Sequence, residues 1–148
     1  MQVTKETITE ESFLGAIYKN VKMGADSIID LLPKVHDAGL RSAMTVQLDG
    51  YEKYAARAAK ELGKRDATAK EENLMVRMGA KMGIAMQTLI SSDTGHIAEM
   101  MIEGSNMGIT DMTKLLNSCK TVDGEAARLA REIVEFEERN IEALKRYL

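Results

Sequence analysis

Glu137 and Asn140 stand one helical turn apart in the closing stretch EFEERNIEALKRYL, on the same side as Ile133 and Leu144. A carboxylate on an apolar helix face can hold a cation, keep its proton, or accept hydrogen bonds. Left ionised and unpartnered there, it would cost several kcal/mol. Donors are available: Asn20, Gln47 and Tyr51 lean toward the apolar stripes of two earlier helical stretches. The pattern predicts an interior polar cluster of Asn20, Gln47, Tyr51, Glu137 and Asn140. A plainer reading stands beside it, with Glu137 at the edge of its stripe and its carboxylate reaching water.

Other reactive side chains are less suggestive. Asp93-Thr94-Gly95-His96 has a spacing that metals use, but it opens a helix, where Asp93 is more simply a cap. Met75, Met78, Met82 and Met86 recur at helical spacing, and Met100, Met101, Met107 and Met112 follow. Thioethers bind soft Cu(I). With no Cys or His beside the stripe, the expectation is that these flexible side chains fill core or interface gaps. Cys119, the single cysteine, cannot form an intramolecular disulfide and lies near a helix end with no activating neighbour. No nucleophile arrangement and no phosphate-binding loop is present, so no catalytic residue is assigned.

The elements that must carry these residues are all helical. With one proline, two phenylalanines, no tryptophan and 11 methionines in 148 residues, helix formers dominate and period-two alternation is absent. The first helix is predicted from about Thr9 to His36, opened by a Thr7–Glu10 capping box and stopped by Gly39. Pro33 is expected to kink or break it. A second helix follows from Leu40 to Leu62 or Gly63, and a third from Lys70 to Leu89. A fourth runs from a cap at Ser91, Ser92 or Asp93 to Ser118. The last, capped by Thr121 or Asp123, reaches Tyr147. The inward stripes include Phe13, Ile17, Gly24 and Ile28, then Met44, Leu48 and Tyr51. Further along they take in Met101, Gly104, Ser105 and Gly108, and finally Ala130, Ile133, Ile141 and Leu144. The four longest helices span ~35–40 Å each at ~1.5 Å per residue, so they can lie side by side. Short turns join them into two antiparallel hairpins, and the Lys64–Ser92 crossover carries the extra helix.

Two hairpins, one long crossover, a mid-bundle polar cluster and the EFEERNIEALKRYL ending resemble the ferritin-like superfamily, over roughly Thr7 to Leu148. The resemblance implies a four-helix bundle and, in metal-binding members, two irons held by Glu and Glu-x-x-His motifs. This sequence departs from that pattern. It has two histidines, His36 and His96, and no Glu-x-x-His; Asn140 stands where the last helix would carry its imidazole. A metal site here would have to rest on carboxylates alone, drawn from Glu52, Glu135, Glu137 and Glu138, with iron or manganese as the ion. The main expectation is no cofactor at all.

Charge and composition exclude more than they assign. The formal net charge of −3 speaks against a nucleic-acid surface, and no apolar run is long enough to cross a membrane. A start lacking a signal-peptide pattern predicts a cytoplasmic protein of one domain. Surplus apolar side chains predict self-association, most simply as a homodimer. Three functional readings follow: a non-catalytic assembly or interaction module, a divergent di-metal oxidoreductase, or a small-molecule site lined by Tyr51, Asn20 and methionines.

Overall fold

A computed structural model describes residues 9–64, 93–118 and 124–148. Helices α1 (Glu10–Leu31), α2 (Ala38–Gly63), α3 (Thr94–Ser118) and α4 (Glu125–Lys145) form a four-helix bundle, with no strand among the described residues. Chain neighbours pair most extensively, α1 on α2 and α3 on α4, while α2–α4 and α1–α3 contacts close the bundle. No described helix is long and apolar enough to cross a membrane. The expected Lys70–Leu89 helix, its methionines and Cys119 lie outside the described residues.

Each helix end follows from local chemistry. Thr9 caps α1, its hydroxyl accepting the Ser12 amide at 3.0 Å, with Glu10 and Glu11 adding negative charge to the first turn. Thr9 therefore takes the capping role predicted for Thr7, which lies outside the described residues. Pro33 breaks the helix as expected: α1 stops at Leu31 and a 3₁₀ turn covers Leu32–Lys34. Gly39 does not stop the helix. Asp37 accepts the Leu40 amide at 2.9 Å and starts α2, which places Gly39 inside its first turn. Asp93 accepts the His96 amide at 3.2 Å, the capping role that its place in the sequence suggested. At α4 the cap position is Gly124 with φ 73° and ψ −140°, a conformation that residues with a Cβ rarely adopt; the predicted caps Thr121 and Asp123 lie outside the described residues.

Buried positions on α4 run 126, 130, 133, 137, 140 and 144, alternating steps of four and three as in a heptad seam. Asn140 is buried in that seam, as the predicted cluster requires, whereas Ile141, placed in the inward stripe, is only partly buried. On α3 the buried face is centred nearer Ser105 than Gly104, which is exposed; Gly108 alone of that pair is buried. The core around them is mostly aliphatic, built from Leu14, Ile17, Ile28, Met44, Ile97, Met112, Leu129 and Ile133 with Phe13.

Candidate functional site

Glu137 is 2% exposed, which rules out the stripe-edge reading in which it reaches water. Its carboxyl lies between all four helices. Tyr51, from α2, donates its hydroxyl to Glu137 Oε1 at 2.7 Å, and Asn140 Nδ2, one turn along α4, donates to the same oxygen at 3.4 Å. Ser105, fully buried on α3, is near enough to favour the charged forms of Tyr51 and Glu137. Its Oγ nevertheless completes no well-formed hydrogen bond among the described residues.

Glycines make this convergence possible. A Cβ on Gly24 of α1 would meet the Tyr51 ring at 2.5 Å, so the phenol reaches the centre only across bare backbone. A Cβ on Gly108 of α3 would lie 2.7 Å from Glu137 Oε2 and 3.4 Å from Asn20 Oδ1, so these two oxygens converge over α3. Phe136 packs edge-on against Tyr51, ring centres 5.0 Å apart, and also against Tyr54 at 5.2 Å. The aromatic trio fixes the height at which Tyr51 presents its hydroxyl.

Electrostatics follow from burial. Desolvation lifts Glu137 above the ordinary carboxylate range, against the hydrogen bonds from Tyr51 and Asn140 and the nearby Ser105 hydroxyl, which pull it down. Burial and the neighbouring carboxyl push the Tyr51 phenol well above its usual value, so it remains a donor at physiological pH.

The predicted cluster is assembled in part. Tyr51, Glu137 and Asn140 are joined. Gln47 is buried on α2, yet neither its Nε2 nor its Oε1 has a partner among the described residues, so it does not serve Glu137. Asn20 is half-buried and its Nδ2 donates at 3.3 Å to Asp111 of α3, not to Glu137; its Oδ1 is buried without a partner. Asp111 had drawn no attention in the sequence because it is an exposed residue beside the apolar face.

A cavity of about 110 Å³ opens beside Glu137 Oε2, lined by Asn20, Ser105, Gly108 and the methionines Met23, Met100 and Met101. Of the methionines whose helical spacing predicts gap-filling, Met100, Met101 and Met107 line this cavity, and Met23 of α1 joins them.

The di-iron centre implied by the resemblance does not fit these residues. Glu52, Glu135 and Glu138 all face solvent and none approaches Glu137, because α2 and α4 turn Tyr51 and Glu137 inward at those levels. Among the described residues, no three His, Cys, Asp or Glu side chains gather as metal ligands do. His36 is exposed and His96 lies in the first turn of α3, near its cap. No protein-family model matches the chain, and no curated protein or solved structure matches it.

Proposed function

We propose that this protein is a ferritin-like bundle of two antiparallel hairpins joined by a long crossover, acting as a non-catalytic assembly or interaction module. The observation that carries this reading is the bonding of Glu137. Where a metal-binding relative would need several carboxylates and imidazoles, one buried acid is held by a phenol and an amide. The preferential pairing of α1 with α2 and of α3 with α4, and the tight Leu32–Asp37 link, support the hairpin layout. Exposed Val46 and Met107, with the methionine-rich sequence at 75–86, support self-association as a homodimer.

A divergent di-metal oxidoreductase is the competing reading. It would require Glu52, Glu135 and Glu138 to leave solvent and join Glu137, against the helix faces observed. Light scattering at micromolar concentration, paired with a ferrous-oxidation assay, tests the proposal. The expected mass is twice the 16.3 kDa chain, with no iron turnover above that of a Glu137→Gln control. A strict monomer removes the assembly role. Turnover abolished by Glu137→Gln makes the protein an enzyme.

A further inference from the structure

The hydrogen bonding around the central cavity is lopsided. The Tyr51 hydroxyl and the Asn140 amide both point at Glu137 Oε1, and the Asn20 amide points at Asp111. What faces the cavity is therefore acceptor: Asn20 Oδ1, which can only accept, Ser105 Oγ, and Glu137 Oε2 above Gly108. Asn20 Oδ1 and Ser105 Oγ are buried atoms without partners among the described residues, and burying such an atom is unfavourable unless something donates to it. The described lining includes two acids, Glu137 and the rim residue Asp111, and no lysine, arginine or histidine. Unpaired acceptors and uncompensated acids call for a ligand rich in N–H donors and positively charged.

We propose that this cavity binds a small primary ammonium ion, its –NH₃⁺ shared by Glu137 Oε2, Asn20 Oδ1 and Ser105 Oγ and its alkyl tail lying against methionines. Three donors on one ammonium match three acceptors supplied by α1, α3 and α4. Met23, Met100 and Met101 give an apolar, adaptable wall for the tail. An engineered cavity of about 150 Å³ holds the six heavy atoms of benzene, so about 110 Å³ suits a molecule of roughly four. Asp111, an exposed lining residue that accepts from Asn20, places a carboxylate where it draws cations toward the cavity. This role goes beyond the assembly reading and does not depend on self-association.

Calorimetric titration of the full chain with propylammonium chloride tests the site, with 1-butanol as the neutral probe of similar size and tetramethylammonium as the cation without N–H groups. The expected result is saturable binding of one propylammonium per chain. Both comparison probes should bind at least about tenfold more weakly, as should propylammonium to Glu137→Gln. Asn20→Leu, at the half-buried rim where folding is least at stake, should weaken binding several-fold, and circular dichroism confirms that each variant is folded. No saturable propylammonium binding to the wild-type protein would overturn the proposal. So would equal binding of 1-butanol or tetramethylammonium, or undiminished affinity in folded Glu137→Gln or Asn20→Leu.

Discussion

Burial governs how readily the acid at the centre of this bundle gives up its proton. Because burial lifts Glu137 above the ordinary carboxylate range, the folded state holds its proton more tightly than the unfolded chain does. That contribution is complete below the unfolded carboxylate value and is lost as pH rises toward the higher folded value. Glu137→Gln keeps an acceptor for Tyr51 and cannot ionise. Urea unfolding at pH 4 and pH 8 should show the variant gaining on wild type at the higher pH; a difference constant with pH would mean that burial imposes no penalty on the charge. Gln47 offers the complementary case. Its amide is buried with both polar atoms unpartnered among the described residues, so Gln47→Met, of similar volume, should stabilise by about 1–2 kcal/mol in the same unfolding assay. Tyr51, Glu137 and Asn140 were legible in the sequence because helical periodicity alone puts them inward. Who bonds whom was not, since a wheel gives direction and not reach: Gln47 points inward without a partner, and Asn20 pairs with Asp111 across the α1–α3 seam.

Glycine placement decides how closely the helices approach. Gly24 admits the Tyr51 ring and Gly50 admits Phe136, while nothing described lies within 4 Å of a Cβ on Gly104. Gly24→Ala should therefore cost about 1–3 kcal/mol by pushing Tyr51 off Glu137. Gly104→Ala should gain about 0.5–1 kcal/mol from helix propensity. Thermal unfolding of the two variants checks both signs. The sequence offered Gly104 and Gly108 as one packing groove because they are a turn apart, yet a small rotation of the α3 face separates an exposed glycine from the one beneath Glu137. Helix existence was legible from composition and periodicity. Several ends were less so, since competing polar residues crowd each junction and backbone geometry chose among them: Asp37 over Gly39, and Gly124 in its positive-φ turn.

Among the described residues, mostly aliphatic layers enclose a polar layer at the level of Glu137. Polar residues at seam positions weaken a bundle while fixing its register, and Tyr51, Ser105, Glu137 and Asn140 occupy such positions on three helices. Around the outside, Arg57 of α2 grips Glu132 at 2.7 Å and Glu125 at 3.0 Å on α4. These half-exposed pairs orient the helices more than they stabilise them. The all-helical class followed from the sequence at once, whereas the cavity beside Glu137 did not, because a void depends on how four faces meet. Metal stoichiometry is the measurement that bears most directly on this centre. Protein produced with iron and manganese in the medium and purified without chelators should carry far less than one metal per chain, unchanged in Glu137→Gln. Two metal ions per chain, lost in that variant, would contradict a centre built on a phenol and an amide.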